Sequence, residues 1–268
     1  MKTVRVFPRR TKATPVDDMA YVGLPDMFVD ADKVELSVTF TWDIPRAEWL
    51  AKQWERIAPV TIGGPAIAPS DGEFVPGRYL REGYVITSRG CPNKCWFCSA
   101  WKSGFQELPI RDGWNVLDDN LLACSEGHIR AVFAMLARQG QRVAFTGGLE
   151  ADKLEDWHVG LLASLNAKPS LFFAYDEDRD WEPLLEASRK VFAAGFTQAS
   201  HCVRCYVLIG YPGDSLDNAE SRLQGVVDLG ITPMAMLYRD RKGLLPPKEW
   251  RVFQRRWARP AIIHAKTS

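Results

Sequence analysis

The stretch Tyr84-Val-Ile-Thr-Ser-Arg-Gly-Cys91-Pro-Asn-Lys-Cys95-Trp-Phe-Cys98 decides the reading of this chain. Its first four residues are apolar or β-branched and read as a short strand. Ser88, Arg89 and Gly90 break the run, so the cysteines fall on a loop at the strand's C-terminal end. In a barrel of parallel strands, that is the end where active sites are built. Three cysteines in eight residues, with no fourth following at ligand distance, match neither a closed zinc site nor a four-cysteine cluster carrier. Three soft thiolates can hold three corners of an iron–sulfur cubane and leave one iron open. The alternative is a structural metal held by the same cysteines.

Working outward, short apolar runs alternate with helix-period stretches. Strands are expected at 84–87, 114–117, 142–146, 170–175, 206–209 and 233–237. Helices are expected at 126–139, ended by Gly140, then through Leu154, Trp157, Leu161, Leu162 and Leu165, then at 181–193 and 216–229. This is the pattern of an α/β protein with a parallel sheet. It suits six strands with five intervening helices in an open, TIM-like (βα)6 partial barrel, whose right-handed crossovers put every strand's C-terminal loop on one rim. The first 80 residues differ. They carry a strand at 34–41, a helix over 45–57 and a strand at 59–62 running into Gly63-Gly64-Pro65, a small α/β segment joined by a linker at 66–77. The expected division is therefore 1–80, then the barrel at 81–240, then a basic aromatic tail at 241–268.

The spacing CxxxCxxC, with the aromatic Phe97 just before the last cysteine, resembles the signature of the radical S-adenosylmethionine enzymes. The resemblance implies that Cys91, Cys95 and Cys98 bind three irons of a 4Fe–4S cluster, with S-adenosylmethionine chelating the fourth. Reductive cleavage of the sulfonium would then give a 5′-deoxyadenosyl radical that abstracts hydrogen from substrate. It further implies an external reductant such as flavodoxin or ferredoxin. Phe97 matches the family aromatic whose backbone lies near the adenine. Gly147-Gly148-Leu149-Glu150 resembles the family's Gly-Gly-Glu element for the methionyl amino group, with the glutamate one place late. Tyr175 and Asp176 end the fourth strand, where the family often sets a polar residue on the ribose. Ile209 and Gly210 resemble the strand end that flanks the adenine. The N-terminal segment resembles the end of a truncated cobalamin-binding domain, but it lacks the Asp-x-His-x-x-Gly element; His128, His158, His201 and His264 all lie elsewhere.

Asp118, Asp119 and Asn120 follow the second strand and either orient substrate at the rim or cap a helix. Tyr238 and Arg239, past the sixth strand, join them as substrate candidates. Cys202 and Cys205, beside His201, have CxxC spacing, and Cys124 stands alone; buried reduced thiols are expected, with an auxiliary metal as the alternative. The basic tail interleaves Trp250, Phe253 and Trp257. It reads as a helix docking its aromatic face on the core, or as a cover meeting a phosphate-bearing substrate.

The chain has 268 residues, 46% hydrophobic and 25% charged, enough for one large core and a small appendage. A formal net charge of +1 neither draws nor repels an acidic partner as a whole. No apolar run reaches the ~18 residues of a membrane span, and the basic N-terminus has no apolar core of a signal peptide. Six cysteines are too few for a disulfide framework and fit a reducing cytosol. The expected function is a cytoplasmic radical S-adenosylmethionine enzyme acting on a small-molecule or nucleotide-like substrate, with no membrane and no firm sign of nucleic acid. The rivals are a non-catalytic iron–sulfur, zinc-binding or electron-transfer protein, and a cobalamin-dependent radical methyltransferase.

Overall fold

The computed structural model describes residues 1–68, 73–240 and 242–258. Part of the expected linker (69–72), Arg241, and the tail from Arg259 to Ser268 lie outside the described residues. The chain divides into a unit of Met1–Tyr84 with Arg241–Gly243, and a unit of Val85–Asp240 with Leu244–Ser268. Of the described residues in the expected tail, 244–258 fall in the second unit.

In the first unit, β1 (Thr3–Phe7), β2 (Ala20–Val22), β3 (Lys33–Ser37) and β4 (Val60–Gly63) form a parallel sheet in the order β2-β1-β3-β4, with α1 (Ile44–Trp54) between β3 and β4. Val4, Val6, Val34, Leu36 and Val38 meet Ala47, Leu50 and Trp54 of the helix in one core. Strands β1 and β2 were not expected from the sequence. β1 alternates Val4 and Val6 with Thr3 and Arg5, but the surrounding basic residues obscure the period, and β2 has no buried residue.

Glu35 is the buried charged residue of β3, at 8% exposure. Burial alone raises its pKa, but hydrogen bonds from Tyr79 (2.6 Å), Lys33 (2.9 Å) and Arg78 (2.9 Å) outweigh that and hold it at about 2. A depressed folded pKa gives stability that is present above the ordinary glutamate value and lost as pH falls towards 2. Glu35→Gln is therefore expected to flatten the fall in stability between pH 5 and 2. It should also cost about 1–2 kcal/mol at pH 7, discounted because Arg78 is half exposed. Urea titrations across that pH range check both.

The second unit opens at β5 (Tyr84–Val85), followed by β6 (Ser88–Arg89), which pairs antiparallel with β7 (Gln106–Glu107). Leu117 N–H donates to the Val85 carbonyl (2.9 Å), joining β5 to β8 (Asn115–Val116). Asn115 bridges in parallel to Ala144, and Ala144 to Ser170. After α2 (Glu126–Ala137) and α3 (Asp156–Ser164) comes β9 (Leu171–Tyr175), then α4 (Trp181–Ala193), β10 (Val203–Ile209), α5 (Leu216–Asp228) and β11 (Thr232–Leu237). β9, β10 and β11 pair in parallel, in that order. Apart from the antiparallel β6–β7 pair, the strand positions from Asn115 to β11 follow one another in chain order and pair in parallel. The unit is α/β, and the third expected strand is reduced to the bridging residue Ala144. Four helices connect the strands, not five: residues 91–113 spend the first crossover on the cysteine loop and β7.

The helices are where the apolar period puts them. α5 buries Ala219, Leu223, Val226 and Val227, and its N-cap Ser215 accepts from Asn218 N–H (3.1 Å). α2 ends at Ala137 with Arg138 as its C-cap, so Gly140 is not the terminator expected; Gly195 and Gly230 do take that place after α4 and α5, at positive φ. α6 (Lys248–Trp257) buries Trp250, Phe253 and Trp257, as the docked-helix reading expects. Among the described residues, no helix is long and apolar enough to cross a membrane.

Candidate functional site

Three consecutive residues after β8 hold the entry to the cysteine loop. Asp118, only 2% exposed, accepts from Thr87 N–H (2.6 Å), Thr87 Oγ1 (2.6 Å) and Ser88 Oγ (2.8 Å). Asp119 accepts from Gly90 N–H (2.8 Å) and pairs with Arg89. Asn120 Nδ2 donates to the Cys91 sulfur (3.4 Å) and to Glu150 Oε2 (2.6 Å). The run does not cap α2, whose N-cap is Ser125; its side chains bind back onto residues 87–91. It is a clamp. Burial pushes the Asp118 carboxyl up, against the bonds from Thr87 and Ser88.

Glycine makes the close approaches. Gly90, at φ +79°, lies so close to Gly104 that a Cβ would overlap the Gly104 carbonyl, so the loop is pinched shut at its neck. Gly147 lies against the Asp118 backbone in the same way, which sets the Gly147-Gly148 turn beside the clamp.

Every later strand end reaches this loop. Glu150, beyond the bridging Ala144, accepts from Asn93 Nδ2 (2.8 Å) as well as from Asn120. Trp96 Nε1 donates to Glu177 after β9 (3.0 Å), and Arg179 lies 3.9 Å from the Cys95 sulfur. The Trp96 ring meets Phe97 (5.4 Å between centroids), Tyr211 after β10 (5.6 Å) and Tyr238 after β11 (5.6 Å). Tyr238 N–H donates to the Ile209 carbonyl (2.9 Å); Arg239 follows, half-buried. One loop gathers the ends of five others.

The remaining expected residues are placed as follows. Tyr175 is buried, with its ring against Trp181 (5.5 Å). Asp176 accepts from Leu208 N–H (3.0 Å); burial, reinforced by Asp180, pushes its carboxyl up to about 7. Ile209 is fully buried, and Gly210 carries Trp250 and Pro246 of the C-terminal segment close above it. Sequence reasoning missed the buried pair Asp214–Arg222 (2.9 Å). Asp214 also accepts from Gly210 N–H (2.8 Å), while Arg222 donates to the Leu208 carbonyl (3.0 Å). The available signal was a lone arginine on the apolar stripe of α5.

The three loop thiols sense one another. Burial raises Cys95 and Cys98; charge on Cys91 and Cys98 raises Cys95 further, and charge on Cys91 does the same to Cys98. Arg179 opposes the shift at Cys95, and the Ala100 N–H opposes it at Cys98. Among the described residues, no three His, Cys, Asp or Glu side chains surround a single metal-ion position. A cubane does not require that, because each of its cysteines binds a different iron. The other cysteines are buried: Cys124 is pushed up to about 11, and Cys205 well above the ordinary thiol range. Cys202 and Cys205 sit at the start of β10, the opposite end from Gly210. Searched against protein-family models and against curated proteins, the chain matches none.

Proposed function

We propose that this chain is a radical S-adenosylmethionine enzyme, built on a partial barrel of parallel strands whose C-terminal ends form the active rim. The observation that carries the reading is the convergence of loops following β8, Ala144, β9, β10 and β11 on the residues 91–98. A loop that held only a structural metal would need no such company. The donor set fits the cluster the resemblance implies: three soft thiols close together on one loop, with the other cysteines buried elsewhere.

In this reading Cys91, Cys95 and Cys98 hold a 4Fe–4S cluster. Bound there with S-adenosylmethionine, the cluster would supply the electron for reductive cleavage of the sulfonium. The chain's own residues prepare that event. Glu150, held by two amides beside the loop, offers a carboxylate to the cofactor's ammonium. Trp96, Phe97, Tyr211 and Tyr238 wall one side of the loop with aromatic surface. Asp176 orients the end of β10 through Leu208, next to Ile209 and Gly210. The proposed substrate is a small or nucleotide-like molecule, the reductant an external flavodoxin or ferredoxin, and the compartment the reducing cytosol.

The test is anaerobic reconstitution with iron and sulfide. The reading expects an EPR signal that shifts on adding S-adenosylmethionine, and 5′-deoxyadenosine after reduction. A cluster whose spectrum ignores S-adenosylmethionine would instead favour an electron-transfer protein.

A further inference from the structure

We propose that Asn120 sets the reduction potential of the metal cluster by donating one amide hydrogen to the Cys91 sulfur, while its other hydrogen ties Glu150 to the same ligand. The inference rests on the reading that residues 91–98 carry an iron–sulfur cluster.

The geometry is particular to this side chain. Asn120 is 4% exposed, and its Nδ2 has two hydrogens and two acceptors, Cys91 Sγ at 3.4 Å and Glu150 Oε2 at 2.6 Å. Turning the amide over would set Oδ1 against the Glu150 carboxylate, so charge fixes the orientation. The consequence is visible: Oδ1 is buried without a hydrogen-bond partner. A buried acceptor left unmatched costs free energy that a residue serving only to fill space would not need to spend.

A donor to a ligand sulfur draws off negative charge and so favours the reduced, more negative cluster. Losing it lowers the potential. Glu150 works in the same direction, since without Asn120 its carboxylate charge is less neutralised beside Cys91. Asn120 is thus a positioning and tuning residue, acting through Cys91 and Glu150.

Wild type, Asn120→Ala and Asn120→Leu are reconstituted anaerobically, iron and sulfide are counted, and midpoint potentials are read by EPR in a redox titration. Asn120→Ala is expected to hold as much iron as wild type, with the reduction equilibrium shifted about tenfold against the reduced cluster, ~59 mV for a one-electron couple. Asn120→Leu keeps the size and the neutral charge without a donor to sulfur and is expected to fall about as far; a residue that merely packs would leave it at the wild-type potential. Where one variant does not fold, the other decides. Loaded variants at the wild-type potential would overturn the proposal. A wild type that binds no cluster would instead remove the functional reading on which the proposal stands.

Discussion

Asp118→Ala is expected to destabilise the second unit by about 3 kcal/mol or more, because it strands three buried donors at once. Thr87 and Ser88 are wholly buried, and the Thr87 N–H and both hydroxyls have Asp118 as their acceptor. Each orphaned buried donor costs about 1 kcal/mol at the low end. The loop entry is freed as well, so the variant should take up little iron on reconstitution. Asp118→Asn keeps one acceptor and the volume, and is expected to be much milder. The pH dependence has a definite sign. Burial raises the folded pKa of Asp118, so the native state keeps a proton that the unfolded chain releases, and wild-type stability falls as pH rises above the ordinary carboxylate range. The asparagine variant has no such term, so its deficit should narrow with rising pH. Urea denaturation at several pH values reads all of this, and an alanine variant within 1 kcal/mol of wild type would show that the clamp holds nothing.

The second large effect concerns the ligands. Replacing Cys95 or Cys98 by alanine is expected to abolish stoichiometric iron and sulfide uptake and, with it, reductive cleavage of S-adenosylmethionine. Folding stability should move by only about 1 kcal/mol, since both thiols are half-exposed and each makes at most one weak hydrogen bond. Cys205→Ala supplies the contrast. Its thiol is buried at the far end of β10, so alanine there should lower stability through lost packing and leave iron uptake intact. Iron and sulfide assays with thermal melts on the three variants separate the two outcomes. Equal iron loss in Cys205→Ala would mean that the ligand set has been misidentified.

The sequence exposed the parts whose signals are local. Strand positions around Val85, Asn115, Ala144, Leu171, Val207 and Met234 were visible from apolar runs, and the helices between them from their apolar stripes. β1 and β2 were hidden, one by flanking charge and the other by its lack of a buried face. The first crossover misled because the residues that might have made a helix are used by Gly90, the cysteine loop and β7. The role of Asp118, Asp119 and Asn120 was not legible, since acids and an amide after a strand look the same whether they cap, face solvent or bind residues some 30 positions earlier. Asp214 and Arg222 were hidden for a related reason: a buried ion pair is recognised only once both partners are brought together.

The step-by-step match of residues 118–120 to residues 87–91 has one more consequence. If β5 and β8 slipped past each other by a single residue, Asp118 would face outward, two hydroxyls would be entombed without acceptors, and Asn120 would miss the first sulfur. Misalignment is therefore penalised by the chain's own buried polar groups, so folding itself proofreads where the three sulfurs stand.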